Sequence, residues 1–211
     1  MSVEDFQLIT LSSVGVPLLV AAARWTVLER ARRFLGLFLL FGLLNDLRHH
    51  VPSLLEARPY FIAGYVLCEM VFYVWFIRSS QPSTAGSRWW LGAFGILAFS
   101  WLFSYGEILS GASKSPSNGV FDVVGSMLII SLSANNLLKL TKDRTSLFSN
   151  GQFWFMLGIL VYFMCSILIF SFISADFRDE IWFLHGVFDT IKHLLFAVGF
   201  WIPGRQAPRI G

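Results

Sequence analysis

Three observations predict an all-α membrane protein, a bundle of seven transmembrane helices. Hydrophobic residues make up 55% of the chain and charged residues only 14%, whereas soluble domains carry roughly 25% charged residues. The apolar residues fall into seven stretches, each near the roughly 20 residues that a helix needs to cross a bilayer. The connections between them are short, so the 211 residues are predicted to form one transmembrane domain.

The predicted spans follow one another without a separate soluble region. In order, they cover about residues 7–23, 33–51, 60–78, 89–109, 119–139, 152–174 and 180–202. The first and sixth spans contain no ionisable residue, so both can face lipid. The chain begins without a basic region ahead of its first apolar stretch, so we do not expect a cleaved signal peptide.

The distribution of Lys and Arg predicts how the bundle is oriented. Eleven lie in the connections and tail on one side: Arg24, Arg30, Arg32, Arg33, Arg78, Arg88, Lys139, Lys142, Arg144, Arg205 and Arg209. Four lie on the other side: Arg48, Arg58, Lys114 and Arg178. Basic residues accumulate on the cytoplasmic side of membrane proteins. We therefore expect the N-terminus outside and the C-terminus in the cytoplasm.

The seventh span carries a stripe of ionisable residues. His185, Asp189, Lys192 and His193 have offsets of four, seven and eight from the first of them, which places them on one helical face. The remaining faces are apolar. Ionisable groups within a membrane span are costly, usually face the bundle interior, and are candidates for function.

Other spans add polar residues at similar depths. Asn45 and His49 lie in the outer half of span 2, Tyr65 and Glu69 in span 3, and Asp122 in the outer turn of span 5. Given the expected orientation, these residues and the span 7 stripe outline a polar cavity that opens outward and ends near the midplane. Lys192 could be neutralised there by Glu69 across the bundle or by Asp189, because an unpaired ion would be far more costly than a pair.

Several kinds of site are disfavoured by the residue pattern. Metal would need three or four converging ligands, such as His49, Glu69, His185 and Asp189, but only the ladder formed by His185, Asp189 and His193 has a ligand-like spacing. Haem would need axial histidines on facing helices. No HExxH, GxSxG or P-loop motif is present. From the absence of these motifs we do not expect an enzyme. We also find no basic run interleaved with aromatics, so we do not expect a nucleic-acid partner.

The chain resembles an uncharacterised bacterial family of small seven-helix membrane proteins. The resemblance is carried by FWFMLGILVYF in span 6, IWFLHGVFD in span 7, Tyr65 to Glu69 and Asn45 to His49. The family usually has Asn-like residues at the positions of Asp189 and His193 and an apolar residue at that of Lys192. This resemblance implies a sensor-like module in the bacterial cytoplasmic (inner) membrane, and it implies no role for Lys192.

The chain also resembles microbial rhodopsins in its seven spans, outside N-terminus, mid-span lysine and mid-span carboxylate. That resemblance implies retinal as a Schiff base on Lys192 with Glu69 as counter-ion. The chain departs from the pattern in three places. Asp189 precedes Lys192 by three residues instead of four, span 3 lacks an arginine one turn before the carboxylate, and span 6 lacks the Trp-aromatic-Pro pattern.

The leading functional hypothesis is a non-enzymatic receptor or sensor-like module. A small ligand or protons would act on the outer polar cavity, and a separate cytoplasmic or membrane protein would receive the signal. A retinal photoreceptor or pump is the second hypothesis. A small transporter and a structural subunit of a membrane complex are the others. Pro17 in span 1 is the single Pro within the predicted spans, and this scarcity of Pro disfavours the broken helices of many transporters.

Overall fold

The computed structural model describes residues 10–47, 58–81, 87–110, 120–142, 147–172 and 178–202. These residues contain helices and turns and no strand, which confirms the predicted all-α fold. The α-helices among them are α1 (Gly15–Ala23), α2 (Arg30–Leu47), α3 (Arg58–Ser79), α4 (Ser87–Leu109), α5 (Val120–Lys142), α6 (Gly151–Phe172) and α7 (Arg178–Trp201). Each predicted span overlaps one of these seven helices.

Local signals explain where several helices begin and end. Asn150 caps α6, because its side-chain oxygen accepts a hydrogen bond from the Gln152 N–H at 3.0 Å. At the end of α3, the hydroxyls of Ser79 and Ser80 donate to the Phe76 carbonyl. A helical turn at residues 10–13 precedes α1, and a short 3-10 helix, Leu147–Ser149, precedes α6.

Consecutive helices run in opposite directions. The beginning of α2 meets the end of α7, where Nη1 of Arg32 donates to the Ile202 carbonyl at 2.9 Å. The beginning of α6 meets the end of α3, where Nε2 of Gln152 donates to the Ser80 carbonyl at 3.0 Å. We call this end of the bundle, which holds the described basic residues of the predicted cytoplasmic side, the basic end. At the opposite end, the Ser104 hydroxyl of α4 accepts a hydrogen bond from the first turn of α5.

Helix α6 lies in the core between α5 and α7, although its lack of charged residues suggested that it could face lipid, and α7 also packs against α1. Phe155 of α6 is 1% exposed and contacts Phe196 and Phe200 of α7 edge to face, with ring centroids 5.7 and 5.0 Å apart. Gly199 allows this contact, because a Cβ there would lie 2.7 Å from a ring carbon of Phe155. Small residues at helix interfaces permit the close backbone approach on which packing within a membrane depends.

The outer surface and helix lengths indicate a membrane protein. Among the described residues, three helical segments are long and apolar enough to cross a bilayer: Val120–Lys142, Gly151–Leu168 and Phe183–Trp201. Thr10–Ala23 is a shorter apolar helix. Large apolar side chains also face outward, including Trp89 at 86% exposure and Phe99 at 75%. Soluble monomers rarely expose apolar patches of this kind. Contact with lipid accounts for them.

The α6–α7 contact predicts opposite effects for two glycine substitutions. Gly199→Ala should destabilise the fold by about 1–3 kcal/mol, because the new methyl overlaps the buried ring of Phe155. Gly95→Ala is the matched control, since nothing lies within 4 Å of a Cβ there. It should leave stability unchanged or raise it by up to about 1 kcal/mol. Thermal unfolding in the same detergent measures both, and equal melting temperatures for the two variants would contradict the packing account.

Candidate functional site

The polar stripe of α7 contains a buried ion pair. The ammonium group of Lys192 pairs with a carboxylate oxygen of Asp189, one helical turn earlier. Lys192 is only 5% exposed. The sequence left the partner of Lys192 open between Glu69 and Asp189, and the structure pairs it with Asp189. A lysine at this depth is tolerated because its charge is neutralised on the same helix.

Two tyrosines from neighbouring helices complete the surroundings of Lys192. Its Nζ lies 3.9 Å from the centre of the Tyr162 ring of α6, a cation–π contact. Tyr73 of α3, which is 1% exposed, lies near enough for the charge of Lys192 to act on its hydroxyl group. Helices α3, α6 and α7 therefore meet around one charged group.

Glu69 belongs to the same region, one turn before Tyr73 on α3. The charges of Lys192 and Asp189 both act on its carboxyl group. Glu69 is half-buried and forms no hydrogen bond or ion pair with the residues that the structure describes. We call Glu69, Tyr73, Tyr162, Asp189 and Lys192 the polar cluster. It holds two carboxyl groups and one ammonium, so one acidic group is in surplus.

His193 ties α7 to the turn before α1. Its Nδ1 lies 2.8 Å from the Ser13 hydroxyl oxygen, and that hydroxyl lies 2.6 Å from the Thr10 carbonyl oxygen. A carbonyl cannot donate, so the single Ser13 proton lies in the contact with Thr10. Nδ1 of His193 must then carry a proton and donate it to Ser13. The same nitrogen is 3.8 Å from Asp189, which extends the polar cluster toward α1.

His185 and Tyr65 lie beside the polar cluster. The His185 ring is 5.5 Å from that of Tyr162, two turns of α7 before Lys192. The hydroxyl of Tyr65 approaches α2, where a Cβ on Gly42 would lie 3.0 Å from it. The Tyr65 ring stacks on Phe38 with centroids 6.4 Å apart. Phe38 in turn meets the Tyr73 ring edge to face, with centroids 5.8 Å apart. His185 and Tyr65 therefore each stack beside a residue that contacts the polar cluster or belongs to it.

The remaining predicted site residues lie farther from the polar cluster or outside the described residues. Asn45 is half-buried near the end of α2. Asp122 is half-buried in the first turn of α5, where its charge acts on Tyr105 and, as the weakest contribution, on Glu69. His49 lies outside the described residues. Asp122 is thus placed at the opposite end of the bundle, away from Lys192.

Sequence reasoning did not identify three contributors to this region. Ser13, Tyr73 and Tyr162 were not predicted as site residues, yet each contacts an ionisable residue of α7. Tyr73 follows Glu69 by four residues, and this spacing on one helical face is the signal that could have included it. Nothing in the sequence indicates which helix faces Ser13 or Tyr162.

Comparison with known proteins does not assign this chain to a family. Comparisons with family models, with curated proteins and with solved structures gave no match. Within the described parts of the chain, no group of three or more His, Cys, Asp or Glu residues is arranged to hold a metal ion. The geometry of the polar cluster itself is therefore the basis for assigning it a function.

The ion pair predicts unequal effects for loss of its two members. Lys192→Met leaves Asp189 and Glu69 as two neighbouring carboxyl groups, and should destabilise the fold by about 3–5 kcal/mol. Asp189→Asn should cost less, because Lys192 keeps Tyr73, Tyr162 and the attraction of Glu69. Asp189→Leu combined with Lys192→Met should recover much of the loss. Unfolding of the single and double variants in one detergent measures the coupling, and simple additivity would refute the pairing.

The His193 contact predicts a specific role for Ser13. Ser13→Ala should lower stability by about 1 kcal/mol, because it removes the acceptor for a buried imidazole N–H. Ser131→Ala is the matched control, since the Ser131 hydroxyl also donates to a carbonyl of its own helix but is exposed. Melting temperatures and the NMR chemical shifts of the His193 ring test this. An unchanged His193 signal in Ser13→Ala would rule out the contact.

Proposed function

We propose that the protein is a non-enzymatic seven-helix membrane module of the receptor or sensor class, and that the polar cluster is where its input acts. The observation that carries the proposal is the buried ion pair of Lys192 and Asp189, with the surplus carboxyl group of Glu69 beside it. A cluster with one acidic group in surplus attracts a proton or a small cation. The input we propose is therefore cationic.

The contacts of the polar cluster supply a way for such an input to affect the whole bundle. Lys192 contacts α3 and α6 through Tyr73 and Tyr162, and Asp189 lies next to the His193 that binds the turn before α1. Neutralising Glu69 leaves Lys192 with only the Asp189 charge, which alters the balance of forces among these helices. A change of charge at the polar cluster can thus alter how these helices pack at the basic end. A separate protein partner would receive the signal there.

The full seven-span arrangement belongs to this proposal. In the described part of the chain, three helices have the length and hydropathy needed to cross a bilayer. The antiparallel order of all seven described helices, together with the basic end, favours crossing by the others as well. The excess of Lys and Arg at that end supports an outside N-terminus and a cytoplasmic C-terminus. A bacterial cytoplasmic membrane and the resemblance to small seven-helix bacterial proteins remain predictions.

Retinal binding is the alternative that the surroundings of Lys192 also favour. A buried lysine beside two carboxyl groups has the components of a Schiff base and its counter-ion. Adding retinal to the purified protein distinguishes the two hypotheses. A visible absorption band that Lys192→Met abolishes would establish retinal binding, whereas the sensor proposal predicts no such band.

The sensor proposal is tested by the response of the whole bundle to protons. Hydrogen–deuterium exchange of the full chain in nanodiscs is compared at acidic and alkaline pH, after correction for the intrinsic effect of pH on exchange. The wild type should change its protection in α1, α6 and α7 at the basic end. Glu69→Gln should lose most of that change, because the surplus acid is gone.

Three results would count against the sensor proposal. A Glu69→Gln variant that responds like the wild type would remove the polar cluster as the input. A wild type that shows no change in protection with pH would remove protons as its signal. Proton flux through liposomes containing the protein, abolished by Glu69→Gln, would favour the transporter hypothesis instead.

A further inference from the structure

A second polar region lies at the basic end, far along the bundle from the polar cluster. It is a cavity of about 490 Å³, within the range of roughly 300–1,000 Å³ typical of small-molecule sites. Side chains from α2, α3, α5 and α6 surround it. Its polar lining consists of Glu29, Arg32, Ser79, Ser80, Gln81, Asn136, Lys139, Asn150 and Gln152. We call this space the basic-end cavity.

Amide side chains form the frame of the basic-end cavity. Nε2 of Gln152 donates to the Ser80 carbonyl at 3.0 Å and to Oδ1 of Asn136 at 3.2 Å. Nδ2 of Asn136 in turn donates to the Ile77 carbonyl at 3.4 Å. These bonds join α3, α5 and α6, and they occupy carbonyl oxygens at the end of α3. The negative end of that helix is therefore partly neutralised before any ligand arrives.

Arg32 supplies a buried positive charge to the basic-end cavity. It is 5% exposed, and its Nη1 donates to the carbonyls of Ile202 at 2.9 Å and Gly199 at 3.5 Å. Its Nη2 forms no hydrogen bond with the part of the chain that the structure describes. The first residue of α6 leaves room for the guanidinium, because a Cβ on Gly151 would lie 2.9 Å from Nη1. Two N–H donors thus remain for another acceptor.

The charges around the basic-end cavity leave a positive surplus. Lys139 is exposed at its rim, and its side chain donates a hydrogen bond to the neutral Gln81 side chain at 3.2 Å. Among the described lining residues Glu29 is the one acidic residue, and its carboxylate is 4.0 Å from Nε of Arg32 and 52% exposed. The N-terminus of α6 points toward the same space and adds its partial positive charge.

We propose that the basic-end cavity binds an anion that bears a phosphate group. Arg32 would hold the phosphate through Nη2, since a guanidinium matches the geometry of phosphate oxygens. Lys139 would close over it from the rim as a flexible point charge. Both a phospholipid headgroup and a soluble phosphate compound carry this chemistry. The proposal is independent of the polar cluster, so either one can fail without the other.

Two binding measurements on the full chain separate the two sources. Inorganic phosphate and glycerol phosphate are titrated by calorimetry into protein in phosphatidylcholine nanodiscs. In the second measurement, protein from nanodiscs containing phosphatidic acid is examined by native mass spectrometry for retained lipid. Saturable heat in the first indicates a soluble ligand, and selective retention of phosphatidic acid over phosphatidylcholine indicates a headgroup. If neither saturable heat nor selective lipid retention is observed, the proposal is wrong.

Matched substitutions locate the binding in the cavity. Lys139→Gln should weaken it about tenfold, as expected for loss of a hydrogen bond to a charged group. Lys142→Gln is the control, because this exposed lysine lies on the same helix but outside the cavity lining. Arg32→Lys keeps the charge and the contact with the end of α7, and should also weaken binding. Equal losses for Lys139→Gln and Lys142→Gln would assign the affinity to general surface charge and refute the site.

Discussion

A charge buried among helices must be neutralised by a nearby group, and this requirement shapes the middle of the bundle. Lys192 is paired with Asp189 on its own helix, so the ion pair can form before α7 meets its neighbours. The neighbours then provide what the pair still needs, an aromatic face from Tyr162 and a hydroxyl from Tyr73. Because the contacts come from α3 and α6, the pair also fixes the rotation of α7 in the bundle.

Close helix packing makes these polar contacts possible. Gly158 and Gly199 let α6 and α7 approach so closely that a Cβ at either position would overlap a Phe ring. The close approach of α6 and α7 brings the Tyr162 ring to Lys192, farther from the basic end. At the basic end it places the end of α7 against Arg32. The polar cluster and the basic-end cavity therefore share the α6–α7 pair as a common support. Movement between these two helices would reach both regions.

Much of the fold could be predicted from the sequence, and part of the candidate site as well. Apolar stretches of membrane-spanning length located all seven helices. Offsets within α7 placed His185, Asp189 and Lys192 on one face, because residues four and seven positions apart point to the same side of a helix. The partner of Lys192 remained open, since a carboxyl group across the bundle and one on the same helix fit the sequence equally well.

The sequence by itself determined which residues are helical, which ends are basic and which polar groups share a helix, because these follow from composition and from the period of the α-helix. Only the tertiary structure decided which helices face one another. It brought Ser13 to His193, and it assembled the basic-end cavity from four helices. A serine or glutamine has the same local pattern wherever its helix is turned, so its partner is defined only once the side chains pack.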